Sequence, residues 1–283
     1  PAKEVTVYVT ISNDGVPIRG RDGTILCHKA ITVPYFDLSQ YGLDEFYRYH
    51  TANGEGKYVD NNIVERPTGL HLYLYLLERY FIGLPEEECG KGKYTRSDLE
   101  GFILRDDVLY MDEEPAYTAD TLAALKITGS PTSLYMANFW GHDENLMYYR
   151  NHCYPYMSPG WGSTSDYILL SDNDTIDLAM FSNWSFWTYG AFARFDKDDY
   201  TAKVGEKITF ETQKYDTKSV SDGGTESFEP ITGLNVKQEL TSEGSSYTLD
   251  TASLKAGTYY LLGYDPNYGT ENACYAPATA KVV

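Results

Sequence analysis

The sequence predicts a mainly β protein with some α, made of an α+β first domain over residues 1–195 and an all-β second domain over residues 200–283. Three observations support this prediction. Val5–Ile11 alternates apolar and polar residues with the period of a strand. Thr68–Ile82 carries apolar residues at helical spacing. After Asp196–Asp199 the chain changes to short alternating segments separated by turns, which is typical of a small β-sandwich.

The first two strands are predicted to form an opening hairpin. Val5–Ile11 is followed by the turn-forming run Ser12-Asn13-Asp14-Gly15. A second strand is expected at Thr24–Val33, with Ile25, Cys27, Ile31 and Val33 facing inward. Pro34 ends it, because proline has no N–H to donate to a sheet.

The main helix is predicted over Thr68–Ile82. Thr68 follows Pro67 and has the residue type that caps a helix N-terminus, and Gly83 and Pro85 stop the helix. Its apolar surface is wider than one stripe, so we expect it to pack on a sheet and to be covered by another segment. A shorter helical turn is expected within Phe36–Tyr49.

The remainder of the first domain, from Glu86 onward, has less regular sequence patterns. Glu86–Gly92 is interpreted as an acidic loop bounded by glycine, and Arg96–Ser130 as a mixed stretch in which Thr121–Ile127 forms a short helix. Ser133–Trp187 contains all four tryptophans and is expected to supply the core. Tyr167–Phe181 predicts a strand, a polar turn and a strand. Phe186–Phe195 is expected to close the domain, followed by a polar linker at Asp196–Asp199.

Five strands are predicted in the second domain, and their spacing favours a sandwich. They are Lys207–Glu211, Leu234–Leu240, Ser246–Leu249, Gly257–Gly263 and Ala278–Val283.

Composition restricts the partners and the setting. The 283 residues carry 41 acidic and 23 basic side chains, for a net charge of -18, which repels polyanions and argues against nucleic acid and anionic membranes as partners. No apolar run reaches the about 18 residues of a membrane span, so no membrane insertion is expected. The 27 tyrosines favour β-rich extracytoplasmic material. The chain begins Pro-Ala-Lys, which we interpret as an excised or processed piece.

The four cysteines are far apart in the sequence. Cys27, Cys89, Cys153 and Cys274 contain no C-x-x-C pair, which argues against a zinc knuckle or a thioredoxin-like site. Three disulfide pairings are open, and buried free thiols are the favoured interpretation.

Several polar groups were weighed as sites of chemistry. His142, Asp143 and Glu144, with His152 nearby, have ligand chemistry, but a polar loop explains them without convergent spacing. Asp172–Asp174 offers oxygen ligands for calcium, but lacks the EF-hand spacing and fits a hairpin turn. No G-x-S-x-G, G-x-G-x-x-G or Walker pattern occurs in a suitable context. No enzymatic activity, cofactor or metal is therefore predicted.

The order of the elements carries a family resemblance. A hairpin, the Pro67–Ile82 helix, the aromatic segments Phe139-Trp140 and Leu146–Tyr149, and the Leu170–Ile176 turn occur in sequence. This order resembles the transcobalamin-like C-terminal domain of unknown function, a β-grasp-like module common in bacterial cell-surface proteins.

The resemblance covers about Val5–Phe195 and departs from the family pattern in two places. Residues 86–130 look inserted, and Asn151-His152 stands where the family often has Asn-Gly. Lys255–Tyr260 is similar to a turn of the immunoglobulin-like modules of Gram-positive surface proteins. The resemblance implies an exported, surface-displayed fragment located at the cell surface or cell wall. It does not imply cobalamin binding.

The loop Tyr154–Ser165 is the predicted binding site. Glycines and prolines hold it off a regular ladder, and aromatic side chains among polar ones stack on sugars or anchor proteins. Trp161 is the expected platform, and the other candidate contacts are Tyr154, Tyr156, Asp166, Asn151 and His142. The predicted function is non-catalytic adhesion or ligand binding, with a host or cell-wall glycan or a protein as partner. The alternative is a carbohydrate-binding or accessory module of a secreted glycan-degrading enzyme.

Overall fold

The computed structural model describes residues 4–13, 16–43, 66–101, 109–110, 125–130, 133–140, 142–143, 146–151, 156–158, 161–162, 169–180, 191–215, 228–230, 232, 235–236, 240–264, 275–276 and 278–283. These residues form a mainly β protein with one long helix and several sheets, as the sequence predicted. Within them, no helix is long and apolar enough to cross a lipid bilayer.

The chain opens with three strands: β1 (Glu4–Asn13), β2 (Val16–Arg19) and β3 (Lys29–Pro34). β1 and β3 are antiparallel, with Val5 opposite Val33, so the predicted pairing of the opening strands is confirmed. The connection differs from a simple hairpin, because β2 folds back on the end of β1 before the chain reaches β3. The inward alternation of β1 gives it four fully or nearly fully buried side chains: Val5, Val7, Val9 and Ile11.

The predicted helix is confirmed, and it has two parts. α1 (Gly69–Leu76) is α-helical and continues as a π-helical stretch, Leu77–Ile82. Gly83 ends it in the left-handed conformation, with φ 89°, where glycine avoids steric strain. All eight residues of α1 are buried, so the helix is covered on more than its sheet-facing side, as its wide apolar surface predicted.

His71 closes the start of α1. Its Nδ1 accepts the backbone N–H of Thr68 at 3.1 Å, and its Nε2 lies 2.9 Å from the carbonyl oxygen of Phe36. These partners fit a neutral ring that carries its proton on Nε2. Burial lowers the pKa of His71 to about 4, because a charged imidazole would lose its hydration.

Acid is therefore expected to destabilise the fold through His71. Because an unfolded imidazole has a pKa of about 6.5, unfolding takes up about one proton as the pH falls from that value to the folded pKa of about 4. Stability is retained above this window and lost within it. Urea unfolding at a series of pH values measures the slope. His71→Gln is the matched control, since glutamine keeps the capping geometry and does not titrate. An unchanged slope in His71→Gln would contradict the assignment.

Residues 86–130, predicted as an insertion, contribute short elements, one of which joins the main sheet. A 3-10 turn, Leu38–Tyr41, precedes α1. After it come α2 (Arg96–Gly101), β4 (Leu109–Tyr110), β5 (Leu125–Ser130), β6 (Ser133–Phe139) and β7 (His142–Asp143). β5, β6 and β7 form a separate three-stranded sheet. The helix predicted at Thr121–Ile127 is wrong over Leu125–Ile127, because these residues pair with β6, and the rest of it lies outside the described residues.

The first sheet is completed by strands from the aromatic segment. These are β8 (Leu146–Arg150) and β11 (Thr175–Met180). Two further strands, β9 (Tyr156–Ser158) and β10 (Trp161–Gly162), lie between them in the sequence and form a separate two-stranded sheet. The sheet order is β4-β2-β1-β11-β8, with β3 also paired to β1. β1 and β11 are parallel and central. A hairpin, a helix and a central parallel pair make the arrangement β-grasp-like, as predicted.

The helix and this sheet enclose one apolar core. Side chains from β1, β3 and β11 pack with α1, the π-helical stretch, and the aromatic pair Phe139 and Trp140. Trp140 is 1% exposed and contacts Phe81 edge-on, with ring centroids 5.1 Å apart. The prediction that the helix covers the sheet is therefore confirmed.

The second half of the chain is a β-sandwich. Its strands are β12 (Ala191–Phe195), β13 (Asp199–Tyr200), β14 (Lys207–Tyr215), β15 (Phe228–Pro230), β16 (Asn235–Val236), β17 (Thr241–Glu243), β18 (Ser246–Asp250), β19 (Tyr259–Tyr264), β20 (Tyr275–Ala276) and β21 (Ala278–Val282). One sheet has the order β17-β18-β14-β12-β20, with β15 paired to β14, and the other β13-β21-β19-β16. Each of the five predicted strands coincides with an observed one, although the strand predicted at Leu234–Leu240 is described as a strand only at Asn235–Val236 and the strand predicted from Gly257 begins at Tyr259.

The strand order is that of an immunoglobulin domain. Taking β12, β14, β16, β17, β18, β19 and β21 as strands A to G, one sheet contains A, B, E and D and the other contains C, F and G. The Tyr259 hydroxyl, at the start of strand F, donates to the carbonyl oxygen of Lys255 at 2.8 Å. This is the tyrosine corner of such sandwiches, and it lies in the segment that carried the predicted resemblance.

The pairing of β12 corrects the prediction that Phe186–Phe195 closes the first domain. β12 is antiparallel to β14 and parallel to β20, so Ala191–Phe195 belongs to the sandwich. The predicted linker Asp196–Asp199 connects β12 in one sheet to β13 in the other. It is held in the sandwich, because Asp196 Oδ1 accepts hydrogen bonds from the Tyr200 hydroxyl and from the backbone N–H of Glu211. The predicted boundary failed because the charged run resembles a linker in composition while its side chains are hydrogen-bonded. The division into two domains stays a prediction.

Candidate functional site: an aromatic hairpin at the end of the first sheet

The predicted binding loop contains a short hairpin. β9 and β10 are antiparallel, with Trp161 opposite Ser158 and Gly162 opposite Tyr156, and the register shifts between Trp161 and Gly162. Among the described strands, these two pair only with each other. The prediction that this segment lies off the regular ladder is therefore confirmed for its described part. Bulged hairpins of this kind can redirect side chains away from a sheet.

A polar network holds the end of the sheet from which this hairpin follows. Asp174 is buried and accepts from Arg150 Nε at 2.8 Å, Asn151 Nδ2 at 3.1 Å and Ser171 N at 2.9 Å. Arg150 is therefore a counter-charge as well as a donor to this carboxylate. The network joins the end of β8 to the turn before β11.

Asn151 is the predicted site residue that the structure describes in full. It has φ 52°, a left-handed conformation that asparagine tolerates. Its Oδ1 accepts the backbone N–H of Thr175 at 2.9 Å, and its Nδ2 donates to Asp174. Both ends of the amide are thus used to hold the two strands together. Its contact with a ligand stays a prediction.

The run Asp172–Asp174 forms the predicted turn. Asn173 has φ 67°, Asp172 Oδ1 accepts the backbone N–H of Thr6 at 2.8 Å, and the Asp174 carboxylate lies inside the network. The oxygens considered for calcium are therefore used to fix the turn. In the described part of the chain, no group of three or more His, Cys, Asp or Glu side chains is arranged to hold a metal ion.

The other predicted site residues are placed only in part. Trp161 and Tyr156 lie in the hairpin, and His142 lies in β7, opposite Phe139. His142 and Asp143 are therefore in a strand, and the polar loop expected there is corrected for these two residues, because they pair with β6. Tyr154, Asp166, Glu144 and His152 lie outside the described residues.

A buried polar cluster escaped the sequence analysis. Glu78, on the π-helical stretch, is fully buried, and its Oε1 accepts from the Tyr41 hydroxyl. Burial raises the pKa of Glu78 to about 6. Its Oε2 has no hydrogen-bond partner. The sequence feature that could have indicated this cluster is Glu78 itself, an acidic residue four positions after Leu74 on a helix that is apolar on nearly all sides.

Cys89 lies near this cluster as an unreactive thiol. Burial, with the nearby Glu78 carboxylate, raises the pKa of Cys89 to about 12, and its Sγ donates to the carbonyl oxygen of Pro85. Cys27 is also a buried thiol outside any disulfide, so the favoured interpretation of the cysteines as buried thiols is confirmed for these two. Cys153 and Cys274 lie outside the described residues.

Among solved structures, those of immunoglobulin domains are similar to this chain over part of its length. No family model and no curated protein matches this chain. The crystal structure of the N-terminal four Ig domains of Dscam1 isoform 7.44 is 12% identical, with a TM-score of 0.19, over 39% of this chain and 22% of that chain. The corresponding structure of isoform 9.44 is 11% identical, with a TM-score of 0.18 and the same coverages. This chain thus spans about a fifth of those chains, and the immunoglobulin assignment rests on the strand order.

Proposed function

We propose that this chain is a non-catalytic, extracellular binding or adhesion module displayed on a bacterial cell surface or cell wall. The observation that carries the proposal is the β9–β10 hairpin, which places Tyr156 and Trp161 on two paired strands outside the two large sheets. Loops positioned by a rigid sheet are common places for binding residues. The network around Asp174 supplies such rigidity at the sheet end that precedes the hairpin.

A glycan is the ligand class that fits this hairpin best. Aromatic rings offer apolar faces that stack on sugar rings, and polar neighbours orient them. The net charge of -18 disfavours polyanionic ligands, which leaves neutral glycans of a host surface or cell wall, or a protein partner. The resemblance to transcobalamin-like C-terminal domains and to the immunoglobulin-like modules of Gram-positive surface proteins supports the same setting.

Substitution of Trp161 tests the proposal. Trp161→Ala is expected to lower the affinity for a bound neutral glycan about tenfold or more, because loss of a central aromatic removes a dominant contact. Isothermal titration with glycans identified on an array measures the change. Trp161→Phe is the matched control, since it keeps a stacking ring, and thermal unfolding verifies that both variants fold.

Two results would contradict the proposal. If no glycan or protein binds the fragment, the binding function fails. If a glycan binds equally well to Trp161→Ala, the hairpin is not the site. The same titration separates adhesion from the alternative, an accessory module of a secreted glycan-degrading enzyme. Binding to plant polysaccharides, with none to host glycans or to bacterial cell-wall glycans, would favour the alternative.

A further inference from the structure

His28 is held rigidly in the connection between β2 and β3. Its backbone has φ 44°, and its N–H donates to Thr10 Oγ1 at 2.9 Å. Its ring stacks on that of Tyr8, with centroids 4.7 Å apart and planes 12° apart. A non-glycine residue in this conformation costs conformational energy, which these contacts offset. The imidazole is therefore fixed in one orientation.

Three groups of the sandwich meet this residue. His28 Nε2 lies 3.1 Å from Asp199 Oδ2, and Nδ1 lies 3.9 Å from Asp198 Oδ2. The carbonyl oxygen of His28 accepts from Lys281 Nζ at 3.3 Å. The His28 side chain is 14% exposed. The first sheet and the sandwich thus contact one another through a half-buried imidazole that faces two carboxylates.

The arrangement suits a proton and not a metal ion. The two carboxylates approach different nitrogens of the ring, so the three groups do not converge on a single point. A neutral imidazole donates from one nitrogen only, and a charged one donates from both. Nδ1 is buried and, among the described residues, has no hydrogen bond, because Asp198 Oδ2 lies 3.9 Å away, just beyond hydrogen-bonding distance. A second ring proton would be directed to that carboxylate.

We propose that His28 is a protonation-controlled latch between the first sheet and the sandwich. When the imidazole is charged, it pairs with Asp198 and Asp199 and holds the two parts together. When it is neutral, the ion pairs with both carboxylates are lost, and the Lys281 contact remains. Gain of a proton by the imidazole closes the latch, and loss of that proton loosens it.

Besides the two carboxylates, Lys281 and Tyr8 contact His28. Tyr260 of β19 lies within electrostatic range of Cys27 and Arg19, and burial raises its pKa. Leu262 of the same strand packs into the core of the first sheet. If this contact is better protected from proteolysis in mild acid than in mild alkali, we therefore assign the difference to His28 and its two carboxylates.

Cleavage after Lys197 reports the state of the latch. Lys197 is exposed and lies beside the two aspartates. In the full chain, a lysine-specific protease is expected to cut there about three- to fivefold more slowly at about pH 5.5 than at about pH 8. Each rate is divided by that of a free peptide of residues 194–202, which removes the pH dependence of the protease.

Three variants decide the outcome, with thermal unfolding to verify that each is folded. We expect His28→Gln to bring the ratio of the normalised cleavage rates at the two pH values close to one. The double variant Asp198→Asn, Asp199→Asn should do the same. Lys281→Gln is the matched control: it removes a contact that does not titrate, so cleavage should rise at both pH values with the ratio retained. A wild-type ratio near one, or a ratio that survives His28→Gln, would overturn the proposal.

Discussion

Phe210→Ala is expected to lower the free energy of unfolding of the sandwich by about 3–5 kcal/mol. Phe210 lies in β14 and is fully buried. Its ring meets Tyr200 edge-on, with centroids 4.5 Å apart and planes 84° apart, and Phe195 at 6.3 Å and 68°. The substitution removes the ring that joins the two sheets and leaves a cavity lined by rigid aromatic groups, which cannot collapse to fill it.

Urea unfolding followed by circular dichroism measures this loss. Phe210→Leu is the matched control, because it keeps most of the apolar volume and should cost much less than the alanine variant. Val204→Ala, at a position 59% exposed, should change stability by less than about 0.5 kcal/mol. A loss below about 1 kcal/mol for Phe210→Ala would show that β14 does not form the centre of the sandwich.

The sequence predicts those elements whose burial pattern is local and periodic. Val5–Ile11 alternates because one face of β1 meets the core, and Ser246–Leu249 alternates for the same reason in β18. The helix is predicted from helical spacing together with Thr68 at its start and Gly83 at its end. In each case the residues that decide the structure are within a few positions of one another.

The errors occur where distant pairing decides the structure. Leu125–Ile127 has residues acceptable in a helix, yet it forms part of β5 because β6 lies beside it. Ala191–Phe195 has no local feature that distinguishes the first sheet from the sandwich, and its partner β14 comes later in the chain. Local propensity is a weak prior that tertiary contacts override.

The candidate site shows the same division. The run Ser171–Asp174 predicts a turn because Asn and Asp bond to their own backbone. The role of Asn151 in holding that turn depends on contacts with Asp174 and Thr175, more than twenty positions later, so a sequence pattern could not reveal it. Trp161 is predicted as the binding platform from local evidence, since glycines flank it on both sides, and that role stays a prediction. Its place in a hairpin agrees with that evidence.

Leu74→Ala is expected to lower the free energy of unfolding of the first sheet and its helix by about 2–5 kcal/mol. Leu74 is fully buried in α1 and belongs to the core that α1 forms with β1, β3 and β11. Removing its branched end loses apolar burial and leaves a cavity beneath a helix that is covered on several sides. A loss near zero would show that the helix can shift to fill the space.

Leu74→Ala and Phe210→Ala together test the predicted division into two domains. If each half unfolds as a unit, calorimetry of the wild type resolves two transitions, and each variant lowers a different one. The contact of His28 with Asp198 and Asp199 couples the halves only weakly, because partly exposed ion pairs contribute little to stability. Leu262 provides a stronger link, since it packs into the first core. A single transition lowered by both variants would therefore make the chain one cooperative unit and overturn the prediction of two domains.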